Sequence, residues 1–498
     1  MPSLPRSLPR ICVALGLNSI SELARCAERE YKDGSTFLEF RLDALSDPAK
    51  GVEFVASFHR AHPEIPLLAT CRHKQHAGAF KGSVERQIAI LRDSAQAGAA
   101  AIDLEIESAE CAKPAAAALR EFASLIVSYH NFESTPALEP VLRKLRRIPA
   151  DAYKLVTTAR KPSDNLRLVQ FARERRDFPL IAFTMSEQGT LTRILAPMLG
   201  CPFTYAAPSD MEGTAPGQIP APVMRSVYRA DKLTKQSRIY GVIADPVAHS
   251  KSPLIHNRAF HAKRIDAVYI PFLVPNNCLA DWMKVATDLP VAGFSVTIPH
   301  KQRIVRYLDT IEPLAKRIGA VNTVWRKGGK WRGANTDAQG VLKPLAKHIQ
   351  LNRAAILIAG YGGAARAAAI ALAGSGARIT ITGRDMKKAQ ALARVAKGDA
   401  VSLASAEASH YDALVHATPV GMSPHPDGSL FKRVPADIVL DMVYNPHQTL
   451  LLTKAKQQGC IIVYGSEMLL EQAACQFEIW TGESAPRSVM QSALENHG

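Results

Sequence analysis

Residues 354–372, AAILIAGYGGAARAAAIAL, constrain the fold more than any other stretch of this 498-residue chain. The apolar run Ala354 to Ala359 has the length of a buried parallel strand. Gly360-Tyr361-Gly362-Gly363-Ala364-Ala365 follows with the G-x-G-x-x-G/A spacing, and an alanine-rich helix starts at once. Gly360 allows the tight turn, Gly362 lets a pyrophosphate approach the backbone, and Ala365 lets helix and strand pack closely. The helix start at Gly363 and Ala364 offers free N–H groups and a positive dipole end to phosphates. Glycine suits any tight strand-to-helix turn, so the next strand decides. Ala377–Thr382 runs into Gly383-Arg384-Asp385, about 20 residues past the glycines, where a ribose contact belongs. Arg384 favours a 2′-phosphate, hence NADP over NAD, while Asp385 would repel one.

The length calls for two to four domains. A content of 47% hydrophobic and 21% charged residues is that of an ordinary globular protein. The start, MPSLPRSLPRICVAL, lacks the apolar core of a secretory signal, and no apolar run is long enough to span a bilayer. The eight cysteines are scattered singly with no C-x-x-C pair, which argues against a metal site or a disulfide framework and for a reducing cytoplasm. The net charge of +16 is spread along the chain without a basic tract or aromatic interleaving. The expected partners are therefore small anionic metabolites, not nucleic acid or membrane. No motif specifies an oligomeric state.

In the first half, short apolar strands alternate with amphipathic helices such as 83–97 and 163–176. The expected strands are Ile11–Leu15, Phe37–Asp43, Leu67–Arg72, Ala101–Ile106, Leu125–Asn131, Ala152–Ala159, Leu180–Ser186 and Phe203–Ala207. Eight such units in about 210 residues predict a closed (β/α)8 barrel, with its chemistry at the strand C-terminal ends. Those ends carry Glu39, Arg41, Asp43, Arg72, Asp103, Glu105, Ser128, His130 and Lys154. Arg41 or Asp103 taken singly reads as half of a structural ion pair. A lysine at an inward mid-strand position loses hydration, which frees a nucleophilic amine for a Schiff base with a ketone. His130, one strand earlier, has the range to move the α-proton of the resulting iminium.

These residues resemble the type I 3-dehydroquinate dehydratase family over about residues 10–222. The shared motifs are Glu39-Phe40-Arg41-Leu42-Asp43, Thr70-Cys71-Arg72, Ile102-Asp103-Leu104-Glu105, Ser128-Tyr129-His130-Asn131-Phe132, Lys154-Leu155, Met185-Ser186 with Gly189 and Arg193, and Thr214-Ala215-Pro216-Gly217-Gln218. The resemblance implies that Lys154 forms the imine and His130 is general acid and base. It implies that Glu39, Arg41, Arg72, Arg193, Thr214 and Gln218 hold the substrate's hydroxyls and carboxylate. His76 stands where the family carries a glutamate that orients and charges the histidine, so a shifted pH profile is expected, with Asp103 as the candidate replacement.

Residues 223–237 read as a helical end and linker, after which a strand at Arg238–Ala244 leads to Ser250-Lys251-Ser252-Pro253. The two serines are either a capping device or hydroxyls for a polyol acid. Gly293–Val296 runs through Thr297 to Pro299-His300-Lys301, and Gly333-Ala334-Asn335-Thr336-Asp337 closes another strand. Beside a nicotinamide domain, Lys301 and Asp337 gain weight as proton-handling groups for a carbonyl reduction. This half is similar to shikimate dehydrogenase over about 238–498. The motifs are Ser250-Lys251-Ser252, Val296 to Lys301, Gly319-Ala320-Val321-Asn322-Thr323, Asn335-Thr336-Asp337, the glycine turn, Ala417-Thr418-Pro419-Val420-Gly421-Met422, Asp441 to Pro446, and Gly465 through Met468 to Gln472. By that resemblance Lys301 and Asp337 are the catalytic pair, and Ser250, Ser252, Thr297, Asn322, Tyr444 and Gln472 contact shikimate. Gly360, Gly362, Gly363, Ala364 and Thr418 cradle NADP, Arg384 and Lys388 take its 2′-phosphate, and Met442 and Gly465 lie by the nicotinamide. The family commonly has asparagine at Ser295 and Asn-Arg-Thr at Gly383-Arg384-Asp385.

The expectation is an α/β chain: a (β/α)8 barrel at 1–225, a linker at 226–237, a shikimate-binding lobe at 238–345 completed by 466–498, and an NADP-binding Rossmann lobe at 346–465. The helix at about 466–480 crosses back, because Gln472 must reach the substrate. Together the halves would dehydrate 3-dehydroquinate to 3-dehydroshikimate and reduce that ketone to shikimate. Two alternatives stay open: a quinate-preferring, NAD-linked second half, and a catalytically inactive regulatory homologue.

Overall fold

Eight parallel strands carry the first half of the chain in the computed structural model, which describes residues 4, 8–175, 177–209, 213–248 and 250–495. They are β1 (Ile11–Leu15), β2 (Leu38–Arg41), β3 (Leu67–Thr70), β4 (Ala101–Glu105), β5 (Ser124–His130), β6 (Ala152–Thr158), β7 (Leu180–Met185) and β8 (Thr204–Ala206). Helices such as Val84–Gln96 and Pro162–Glu174 connect them. The second strand stops short of its expected end at Asp43. Leu42–Ala44 turns into a 3-10 helix, which lets Asp43 fold back onto Arg41 at 2.9 and 2.8 Å.

The ladder runs β7-β6-β5-β4-β3-β2-β1-β8, so the barrel closes everywhere except between β7 and β8. The last strand spans three residues and spends its pairing on β1. The free edge of β7 is satisfied by side chains instead. Ala182 N–H points to Cys201 Sγ at 3.4 Å, and Thr184 N–H donates to Thr192 Oγ1 at 2.8 Å. Backbone donors buried at an edge need such partners.

By compactness the chain divides into Met1–Arg238 with Asp266–Pro290, and Ile239–Ile265 with Val291–Gly498. The segment Asp266–Pro290 holds β10 (Ala267–Leu273) and the helix Leu279–Asp288. In the second unit, β9 (Arg238–Ala244), β11 (Val291–Val296), β12 (Thr310–Ile311), β13 (Thr323–Lys327) and β14 (Lys330–Ala334) neighbour one another in the order β9-β11-β13-β14-β12. The pairs β11–β13 and β13–β14 are antiparallel.

A second sheet in that unit contains β15 (Ala355–Ala359), β16 (Arg378–Thr382), β17 (Asp399–Ala400), β18 (Tyr411–His416), β19 (Ala436–Asp441) and β20 (Ile461–Val463). Its order, β17-β16-β15-β18-β19-β20, is that of a dinucleotide-binding sheet, with the switch in strand order beside β15. Helices cover both faces, so β15 is apolar throughout. Ile356 and Ile358 pack with Ala365, Ala368 and Leu372, while Leu357 and Ala359 pack with Phe431, Leu451 and Leu452.

The closing seam of the barrel is open to a direct test. Thr192→Val deletes the acceptor for the buried Thr184 amide, and the barrel's urea transition should lose about 1–3 kcal/mol. A variant as stable as the parent would show that this hydroxyl does not close the joint.

Candidate active sites

Inward positions on the barrel strands recur every second residue and stack in layers. Phe37, Leu68, Ala101, Ile126, Ala152, Ile181 and Phe203 make an apolar floor. Two residues further along each strand stand Glu39, Thr70, Asp103, Ser128, Lys154, Phe183 and Tyr205. Two more bring Arg41, Arg72 and His130. A cavity opens above the floor. Its walls include Glu39, Arg41, Arg72, His130, Lys154, Arg193, Thr214 and Gln218, the complete set that sequence reasoning placed in the first site.

Lys154 Nζ donates to Asp103 Oδ2 and to the Tyr205 hydroxyl, each at 3.0 Å. The other Asp103 oxygen accepts from Ser128 Oγ at 2.6 Å and Arg72 Nη2 at 3.2 Å. Burial alone would raise the Asp103 carboxyl, but Lys154, Arg72 and Ser128 outweigh it and hold it below the usual carboxylate range. Lys154 is thus held in a buried ion pair. Sequence reasoning weighed Asp103 only as half of an ion pair or as a stand-in for the missing glutamate, and it left Tyr205 out of the site. Their inward parity with Ala101 and Phe203 was the available signal.

Burial pushes His130 well below its ordinary value, and Arg72, Lys154, Arg41 and Arg193 push it further the same way. The imidazole is therefore held neutral, as a base requires. Asp103 does not replace the missing glutamate, because both its oxygens serve Lys154, Arg72 and Ser128. His76 ends the short turn Lys74–His76, and the next residue, Ala77, lines the cavity.

Arg193 is buried at 1% exposure, with its guanidinium carbon 4.6 Å from the Phe183 ring centre. It donates from Nη2 to Pro216 O at 3.1 Å, while Nε and Nη1 have no partner among the described residues. Burial with no opposing carboxylate pulls its pKa down. A cation so placed lacks the planar anion that its fork matches. Gln218 Oε1 accepts from Ala215 N–H at 3.3 Å and from Thr214 Oγ1 at 3.4 Å, closing the turn that carries Pro216.

In the second unit Lys301 Nζ donates to Asp337 Oδ2 at 2.5 Å. Asn322 Nδ2 reaches Asp337 Oδ1 at 2.7 Å and Gln472 Oε1 at 3.1 Å. The Asn322 amide is itself fixed, since its Oδ1 accepts from Thr323 Oγ1 and Thr336 N–H. Gln472 comes from the helix Gly465–Thr481, so the expected return of the chain takes place. Ser250 Oγ accepts the backbone N–H of Ser252 at 3.3 Å in a local turn before the helix Ser252–Ala262, whose N-cap residue is Lys251 and carries no side-chain cap bond. Thr297 follows β11 and Tyr444 follows β19, both half-buried, and burial raises the Tyr444 phenol.

The glycine turn accommodates a dinucleotide. Gly360 has φ +124°, and a Cβ there would lie 2.8 Å from Ala417 O. A Cβ at Gly362 would meet nothing within 4 Å, so the approach to the helix Gly363–Gly374 is open past Ala364. One at Gly363 would sit 3.7 Å from Lys301 Cβ, which brings this helix start beside the lysine. Gly465 leaves room for Val443 O, 2.4 Å from where a Cβ would be, with Met442 half-buried just before it. Asp385 is less opposed to a phosphate than its charge suggests. It caps the helix Met386–Ala396 through Lys388 N–H at 3.1 Å and pairs with Lys388 Nζ at 3.5 Å, with Arg384 exposed alongside. Beneath the loop after β18, His416 Nδ1 meets Asp441 Oδ1 at 2.8 Å and His416 Nε2 meets Thr418 Oγ1 at 2.6 Å. Sequence reasoning singled out Thr418 but not this buried pair beneath it.

No helix among the described residues is long and apolar enough to cross a membrane. The first half matches the type I 3-dehydroquinase family over residues 11–235. The second matches the shikimate dehydrogenase substrate-binding domain over 242–324 and the shikimate 5'-dehydrogenase C-terminal domain over 465–495. The chain is 32% identical to the chloroplastic bifunctional 3-dehydroquinate dehydratase/shikimate dehydrogenase of Arabidopsis thaliana, over 96% of this chain and 83% of that protein. It is 41% identical to the NADP(+) shikimate dehydrogenase of Methanobrevibacter smithii, over 53% of this chain and 98% of that one. A solved shikimate dehydrogenase in complex with NADP+ superposes with a TM-score of 0.51 at 37% identity, covering 53% of this chain and 96% of that one.

His76→Glu should raise His130 by supplying the opposing charge that it lacks. In any reaction where neutral His130 takes a proton, the acidic limb of kcat/KM then moves to higher pH. An unchanged pH–rate curve would mean that position 76 does not address the histidine.

Proposed function

We propose how side chains divide the work in this chain, which belongs to the family of bifunctional 3-dehydroquinate dehydratase/shikimate dehydrogenases. It dehydrates 3-dehydroquinate and reduces 3-dehydroshikimate with NADP as coenzyme. The observation that carries the assignment of roles is the presence of two lysine–aspartate pairs. One is Lys154–Asp103 inside the barrel, and the other is Lys301–Asp337 beside the start of the glycine-turn helix. We assign 1–225 to the dehydratase barrel and 226–237 to the linker. The shikimate lobe takes 238–345 with 466–498, and the NADP lobe takes 346–465. None of the eight cysteines forms a disulfide, which supports a reducing compartment, and we place the protein in the cytoplasm.

In the barrel the uncompensated fork of Arg193 receives the substrate carboxylate. Glu39, Arg41, Arg72, Thr214 and Gln218 hold the hydroxyls and fix the ring. Lys154, as free amine, adds to the ketone and loses water to give an iminium. The iminium acidifies the neighbouring C–H, whose proton passes to neutral His130. The carbon–oxygen bond one carbon further on then breaks, and the imidazolium returns a proton to the leaving hydroxyl. Hydrolysis frees the enone and the amine.

In the second unit Ser250, Ser252, Thr297, Asn322, Tyr444 and Gln472 contact the substrate's hydroxyls and carboxylate. Lys301 gives a proton to the oxygen of the carbonyl under reduction, and Asp337 orients that lysine. The glycine turn at Gly360, Gly362, Gly363 and Ala364, with Thr418, fits the pyrophosphate, and Arg384 and Lys388 fit the 2′-phosphate. Met442 and Gly465 border the nicotinamide place. When bound, the reduced nicotinamide supplies the hydride.

Lys154→Ala should abolish dehydration and leave reduction intact, and Lys301→Ala should do the reverse. Loss of both rates from either change would contradict two independent sites. Arg384→Ala should raise the KM for NADPH about tenfold or more, the scale of one lost charge-assisted contact of 1.5–3 kcal/mol, and leave that for NADH nearly unchanged. Equal effects on both coenzymes would remove Arg384 from the phosphate.

A further inference from the structure

Condensing an amine with a ketone poses a proton problem that the roles assigned above leave unsolved. When Lys154 adds to the carbonyl, the new carbon–nitrogen bond leaves a positive charge on nitrogen and a negative charge on oxygen. A proton must cross from one to the other before water can leave. Direct transfer would need a strained four-membered arrangement, whereas a hydroxyl bonded to both atoms completes a relaxed six-membered one.

Asp103, His130, Glu39 and Tyr205 are the groups near the Lys154 nitrogen or in its cavity that could move this proton, and of these Glu39 already accepts from Thr70 Oγ1 at 2.6 Å. Asp103 touches the nitrogen through Oδ2, but Asp103 is fully buried, is absent from the cavity wall, and has its other oxygen committed to Ser128 and Arg72. His130 is reserved for the carbon-bound proton. Tyr205 remains. Its hydroxyl is 3.0 Å from Lys154 Nζ, and its ring lines the cavity that holds the substrate. That oxygen already accepts from the lysine, so its own O–H is free to donate. The ring is braced by Phe203 at 5.4 Å and Phe183 at 5.8 Å, and Lys154 Nζ stands 4.1 Å from its centre.

We propose that Tyr205 is a catalytic residue of the dehydratase, whose hydroxyl carries a proton from the Lys154 nitrogen to the substrate oxygen. The proposal rests on the Schiff-base reading of the barrel. In the forward step Tyr205 takes the N–H proton and hands its own O–H proton to the alkoxide. The zwitterion becomes a neutral carbinolamine and the phenol ends as it began. When the product imine is hydrolysed, the same exchange runs in reverse. Burial, with Glu39 and Asp103 nearby, raises the phenol well above its ordinary value. A group that relays without ionising tolerates that shift, and a phenolate intermediate would not.

Tyr205→Phe keeps the ring, its packing and its contact with the ammonium, and removes only the relay. The full-length chain is mixed with saturating 3-dehydroquinate, quenched with borohydride at intervals, and the adduct on Lys154 is followed by mass. The trapping rate constant should fall about 100-fold, the low end for lost proton-transfer catalysis. The half-saturating concentration and the chain's reduction of 3-dehydroshikimate should stay unchanged. A trapping rate within twofold of wild type, or a defect confined to half-saturation, overturns the relay. If the variant does not fold, the wild-type trapping rate in D2O decides: slowing supports the relay and its absence overturns it. A wild-type chain that traps nothing on Lys154 defeats the dehydratase reading itself, whereas trapping at equal rates in both chains defeats only the role of Tyr205.

Discussion

A charge inside a barrel has to be paired, and the salt bridge between Lys154 and Asp103 meets that requirement for the whole first site. Asp103 also engages Arg72 and Ser128, so a single carboxylate orients residues from β5, β6 and the end of β3. Stripping one partner from such a group leaves an uncompensated ion, at a cost of about 3–5 kcal/mol. The anions present do not cover all the cations. Arg41 has Asp43, and Arg72 and Lys154 share Asp103, but Arg193 has only a backbone oxygen among the described residues. That guanidinium sits on the cavity wall, alongside Arg41, Arg72 and Glu39.

The second site solves the same problem by locking an amide. Asn322 ties Asp337 to Gln472 while Thr323 and Thr336 hold its oxygen. Lys301 is consequently aligned by residues from the loop before β13, the start of the helix Asp337–Ala346 and a helix more than 120 residues further on. The glycine turn then closes on it from the other side.

Much of this was legible in the sequence because two periodicities carry it. Alternation along each barrel strand put Lys154, His130, Arg41 and Arg72 on one face, and the six-residue glycine spacing located the turn after β15. Partners chosen by folding were less legible. Tyr205 meets Lys154 because β8 returns beside β1, and its inward parity with Phe203 is the one local hint of that. Asp385 looked hostile to a phosphate until its role as a helix cap appeared. His416 and Asp441 end adjacent parallel strands, a pairing that no local motif encodes. Residue 76 read as a departure from the family, and the cations around His130 explain why it matters.

Cys201 and Thr192 stand where an eighth ladder would be. Seven joints of the cylinder have their spacing dictated by main-chain geometry, which no substitution alters. At the remaining joint two side chains take up main-chain donors of β7 instead, so a thiol or a hydroxyl can be exchanged there without re-registering a single strand.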